Sequence, residues 1–111
     1  MRITATYPRS LQHQRWYRAL VSVVADGVGM QPDALHKELK FRAQLIEHIF
    51  IAQGGAVAIE LKSTRFRDMD EPDFTAYTNL AIEIIFRDFL PGVSRNSVIA
   101  QVNDMVGPRP D

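Results

Sequence analysis

The chain has 111 residues, enough for one domain with a modest core, and its 46% apolar and 23% charged content is that of an ordinary globular protein. Lys and Arg number 13 and Asp and Glu also 13, which argues against bulk coating of nucleic acid by a strongly basic surface but leaves a local cationic patch open. With no cysteine, disulfides, thiolate metal sites and cysteine nucleophiles are excluded.

Residues Arg2 to Pro8 alternate small, β-branched and aromatic types and predict a short strand ending at Tyr7-Pro8. Ser10 is a plausible N-cap for a helix from Leu11 to Ala25. There His13, Trp16, Tyr17, Leu20, Val21 and Val24 recur at three- and four-residue steps as a buried stripe, with Gln14, Arg15, Arg18 and Ser22 opposite. Asp26-Gly27 is the expected end, since glycine adopts the left-handed cap conformation cheaply.

A second helix is expected from Pro32, whose missing N–H costs nothing in a first turn, with Leu35 and Leu39 inward and Lys37 and Lys40 outward. From Leu45 to Ala52 and from Ala56 to Lys62 the chain is apolar or β-branched around Gln53-Gly54-Gly55, which signals a hairpin. A long helix is expected from Asp70 to Leu90, capped by Asp70 with Asp73 three residues on. Its inward stripe is Phe74, Tyr77, Ala81, Ile84, Ile85 and Phe89, and Pro91-Gly92 stops it. Ser94 caps a last short helix carrying Val98, Val102 and Met105.

This order predicts a small α+β domain, about four helices packed with a β-hairpin or a three-stranded antiparallel sheet. It occupies residues 1–107, and 108–111 form a frayed tail. No segment approaches the ~20 apolar residues of a membrane span. No apolar stretch follows Arg2, so no signal peptide is expected and a cytoplasmic location is.

Charge is sorted along the chain. No acid lies between Met1 and Ala25, where Arg9, Arg15 and Arg18 are interleaved with Trp16 and Tyr17. A second cationic cluster, Lys62-Ser63-Thr64-Arg65-Phe66-Arg67, follows the hairpin, and the balancing acids concentrate from Asp68 to Asp88. Arginines make paired hydrogen bonds to phosphate, and hydroxyls and backbone N–H groups add contacts. The candidate nucleic-acid-binding set is therefore Arg9, Arg15, Arg18, Lys62, Thr64, Arg65 and Arg67. Trp16 and Tyr17 fit a core stripe better than a stacking platform, and Phe66 reads as an inward anchor.

Catalytic readings are thinner. Glu60-Leu61-Lys62, with Glu47 on the preceding strand, imitates the carboxylate and lysine pattern of a metal-dependent nuclease. Charged residues at the wet end of a hairpin also produce it. Asp68, Asp70, Glu71 and Asp73 are accounted for by the positive end of the helix dipole, without a metal. His13, His36 and His48 lie on separate elements without ligand spacing. No cofactor is expected, and the protein is not read as an enzyme.

The stretches Arg9-Ser10-Leu11, Arg15-Trp16-Tyr17, Asp33-Ala34-Leu35-His36-Lys37, Lys62-Ser63-Thr64-Arg65-Phe66 and Glu71-Pro72-Asp73-Phe74 together resemble the phage NinB recombination proteins. They are also similar to short prophage-encoded domains of the same layout. The resemblance spans roughly Tyr7 to Gly92 and implies a phage-associated α+β protein in a bacterial host. It implies a homodimer that binds single-stranded DNA and assists recombination without catalysis. A different class of function remains beside it: a module binding a host or defence protein, with the Asp68 to Asp88 acids as its face.

Overall fold

A computed structural model describes residues 11–51, 53–55, 57–61 and 69–110. Helix α1 spans Leu11–Val28, α2 Pro32–Arg42, α3 Glu71–Ile84 and α4 Arg95–Val106. Strands β1, Ile46–Ile51, and β2, Val57–Leu61, pair antiparallel through Ile49↔Ile59 and Ile51↔Val57, joined across Gln53–Gly55.

The α+β class is corrected by this arrangement. Among the described side chains every buried apolar residue of the core lies on α1, α2, α3, α4 or the turn that continues α3. No sheet layer underlies the helices, and no third strand pairs with β1 and β2 among the described residues. The physical reason lies in the stripes. Those of α1 and α3 are broad enough to bury against other helices, so the core closes without a sheet face. The β-branched runs act only locally. The expected strand at Arg2 to Pro8 lies outside the described residues.

Helix α1 is the hub. It packs against α4 along its length and against α2 across the turn at Gly29. Its predicted stripe is buried as expected: His13, Trp16, Tyr17, Leu20, Val21 and Val24, with Ala19 and Ala25 added. Its end is not where Asp26-Gly27 placed it. The helix continues to Val28, and Gly29 at φ 76° supplies the left-handed cap while Met30 N–H donates to Ala25 O at 2.9 Å.

Helix α3 begins as the sequence implies, with the Asp70 carboxylate accepting from Asp73 N–H at 3.0 Å. It runs into a π-helical turn, Ile85–Phe89, in which Leu90 N–H reaches back to Ile85 O at 2.8 Å. Ser94 caps α4 by accepting from Ser97 N–H at 3.2 Å. Val98 and Val102 are buried, but Met105 is 56% exposed and leaves the expected stripe.

The tail does not fray through Arg109. Its guanidinium lies over the Trp16 ring, 5.6 Å from the centroid, and donates to Asn79 Oδ1 at 2.7 Å and to His13 Nε2 at 3.2 Å. Gln12 Nε2 fastens the same segment by donating to Val106 O at 2.7 Å.

One buried group is unbalanced. Thr78 Oγ1 is fully enclosed and has no hydrogen-bond partner among the described residues. Leaving a hydroxyl unpaired costs about 1–3 kcal/mol. Thr78→Val is therefore expected to raise stability by about 1 kcal/mol, read as a thermal midpoint roughly 4 °C higher. An unchanged or lower midpoint would show the hydroxyl to be satisfied.

Candidate nucleic-acid interface

The burial of one α1 stripe dictates where the opposite residues stand. With Trp16, Tyr17 and Leu20 inward, Arg15 and Arg18 project from the exposed face. Arg15 Nη1 donates to Gln12 Oε1 at 3.4 Å along the same helix. Helix α2 is fixed in the same way. Leu35 and Leu39 are fully buried, which leaves Lys37 exposed and His36 and Lys40 half-buried along the border with α1.

Electrostatics shows that these residues share one field. Burial, then Lys40 and Arg18, holds the His36 imidazole down to about 4, with Lys37 adding to the effect and Asp33 opposing it. The Lys40 ammonium is also lowered, by burial and then by Lys37 and Arg18. Arg18 from α1 and Lys37 and Lys40 from α2 thus converge on His36. Like charges gathered at a helix seam disfavour further positive charge and attract anions.

Beneath this rim lies a buried polar chain. His36 Nδ1 is 2.7 Å from Tyr17 Oη, which is 2.5 Å from Tyr77 Oη on α3. Burial raises both phenols above their ordinary values, so both stay protonated at any working pH. One proton order uses both hydroxyls: Tyr77 donates to Tyr17, and Tyr17 donates to the neutral imidazole.

Of the sequence-derived set, Arg15 and Arg18 stand exposed as expected, while Arg9, Lys62, Thr64, Arg65 and Arg67 lie outside the described residues. So does Phe66. Trp16 and Tyr17 are each 1% exposed, and Trp16 Nε1 donates to Asn103 Oδ1 at 2.7 Å, so neither ring is available for base stacking. Lys37 and Lys40 were legible only as outward residues. Their partnership with Arg18 depends on how α2 folds back on α1, although two lysines flanking a histidine beside a buried leucine rail were a usable signal.

A carboxylate–imidazole pair also occurs. His13 Nδ1 and Glu71 Oε2 are 2.8 Å apart. Because Arg109 Nε donates to His13 Nε2, that nitrogen is an acceptor and Nδ1 carries the proton given to Glu71. An acid–base dyad needs Nε2 open to a reacting group. Here it is held by the tail and the ring is fully buried, which makes the pair a tie between α1, α3 and residue 109.

The acids are largely engaged as well. Asp70 caps α3. Asp88 is held by Arg87 at 2.7 Å and Arg42 at 3.0 Å, hydrogen bonds that bring its carboxyl down to about 2. Among the described residues no group of three or more His, Asp or Glu is placed to hold a metal ion. No described helix is long and apolar enough to cross a membrane. No family model, curated protein or solved structure matches the chain.

Proposed function

We propose that this protein is a non-catalytic accessory protein that binds single-stranded nucleic acid through the α1–α2 cationic seam. The observation that carries the reading is the convergence of Arg18, Lys37 and Lys40 on one half-buried imidazole, with Arg15 one helical turn away. Cations gathered at that density bind phosphates, and the contacts read charge rather than base identity. With Trp16 and Tyr17 enclosed, affinity depends little on base sequence. Arg9, Lys62, Thr64, Arg65 and Arg67 extend the contact surface, and a role in phage recombination as a homodimer rests on the short motifs that resemble the NinB proteins. The alternative, a protein-binding acidic face, has less support, because Asp70, Glu71 and Asp88 are already hydrogen-bonded within the fold.

Fluorescence anisotropy with labelled oligothymidylate tests this. Association is expected at low salt, and the logarithm of affinity should fall linearly with the logarithm of salt, about 0.7 units per phosphate contacted. Absence of association at the lowest salt, with the protein folded, would end the reading.

A further inference from the structure

The seam contains more than surface cations. The group at its centre is joined to two hydroxyls that run inward to α3, and phosphate binding by Arg18, Lys37 and Lys40 makes no use of them. Every group facing the imidazole can be named among the described residues. Helix α1 contributes Tyr17 and Arg18, α2 itself contributes Asp33, Lys37 and Lys40, and α3 contributes Tyr77 behind Tyr17.

We infer that nucleic-acid binding at this seam is proton-linked: His36 becomes charged when a polyanion covers Arg18, Lys37 and Lys40, and the Tyr17–Tyr77 pair is the relay that lets it do so. The inference rests on the proposed binding reading and adds its regulation.

The balance of the step is simple. In the free protein Tyr77 donates to Tyr17 and Tyr17 donates to His36 Nδ1. On charging, Tyr17 passes its proton to Nδ1 and takes the proton of Tyr77, and Tyr77 is replenished by one proton from solvent, which its 4% exposure reaches. Both hydrogen bonds survive with their direction reversed, and no heavy atom moves. Nδ1–H then donates to Tyr17, Tyr17 donates to Tyr77, and the Tyr77 proton turns outward. Without Tyr77, the reversed Tyr17 proton would be buried with no acceptor in the relay, a costly arrangement. Tyr77 is therefore a positioning residue for the charged state.

The sign follows from linkage. Three cations hold the free imidazole neutral near pH 7. Phosphates laid across the same cations reverse the local potential and raise the proton affinity of the ring. A group raised in the bound state favours binding below its bound-state value and contributes nothing well above it. If phosphates raise the imidazole by about two units, affinity grows about tenfold between pH 7.5 and 5.0.

The test is anisotropy with oligothymidylate, whose base does not titrate in this range, from pH 7.5 to 5.0 at fixed salt. The wild-type protein is expected to bind about tenfold tighter at pH 5.0, whereas His36→Gln and Tyr77→Phe both lose most of that slope. The readout is the slope with pH, which a merely structural loss of affinity would not change. Binding that is equally tight at both pH values overturns the inference and leaves the binding reading standing. An undiminished slope in His36→Gln also overturns it, and an undiminished slope in Tyr77→Phe overturns the relay. Should Tyr77→Phe fail to fold, the half-buried His36→Gln still decides. No binding at any pH overturns the binding reading and the inference together.

Discussion

Replacing Arg18, Lys37 and Lys40 together by alanine is expected to weaken binding of single-stranded oligonucleotides about a hundredfold near 0.1 M salt. The size follows from counterion release. Each phosphate neutralised on a single strand contributes about 0.7 to the salt slope, and the same 0.7 is about a fivefold gain in affinity at 0.1 M relative to 1 M. Three such contacts lower the slope by about 2 and the affinity by about two decades. The loss should be equal for different base compositions, because none of the three side chains is expected to read a base edge. All three lie off the buried rails of α1 and α2, so the helical circular dichroism should be unchanged. Arg87→Ala is the control. That guanidinium is exposed and already paired with Asp88, and its removal should change affinity less than twofold. A triple variant that binds like wild type would move the contact surface away from the seam.

How much of this was legible depends on the range of each interaction. The stripe of α1 could be read because its spacing is local and repeats over four turns. The cap of α3 at Asp70 is equally local. The end of α1 was not readable, because Gly27 and Gly29 both suit a left-handed cap. A glycine inside a helix costs only about 1 kcal/mol, and the pairing of Met30 N–H with Ala25 O decides for the later one. The sheet was overvalued for a related reason. β-Branched runs around Gly54-Gly55 report a local hairpin, but which layer closes the core is settled by helices far apart in sequence. The site divides in the same way. Arg15 and Arg18 follow from the complement of a stripe, while the grouping of Arg18 with Lys37 and Lys40 needs the fold-back at Gly29. The tail was misjudged because Gly-Pro-Arg-Pro has the composition of a loose end, and its anchors, Gln12, His13 and Asn79, lie 30 to 96 residues away.

Trp16→Ala is expected to cost about 4 kcal/mol in urea unfolding, the largest single loss available in the chain. The indole is 1% exposed, and three parts of the molecule meet on it. It lies on α1, donates from Nε1 to Asn103 of α4, and carries the Arg109 guanidinium on its face. Truncation removes the packing of the ring, leaves a cavity at the α1–α4 contact, deprives Asn103 of its donor and strips Arg109 of its platform. A protein of this length has a total stability of roughly 5–15 kcal/mol, so the variant should sit near the edge of folding. Trp16→Phe separates the contributions. It keeps a ring beneath Arg109 but lacks the N–H, so a loss of about 1–2 kcal/mol is expected. Since Trp16 is the sole tryptophan, both variants must be followed by circular dichroism rather than fluorescence. The cost should not be additive with Arg109→Ala, because the tail contact and the indole act as one unit. A double-mutant cycle should return a coupling of about 1 kcal/mol. A loss below about 1.5 kcal/mol for Trp16→Ala would mean that the ring does not bind α1 to α4 and the tail. The rigid placement of Arg15 and Arg18 on the opposite side of the same helix would then lose its support.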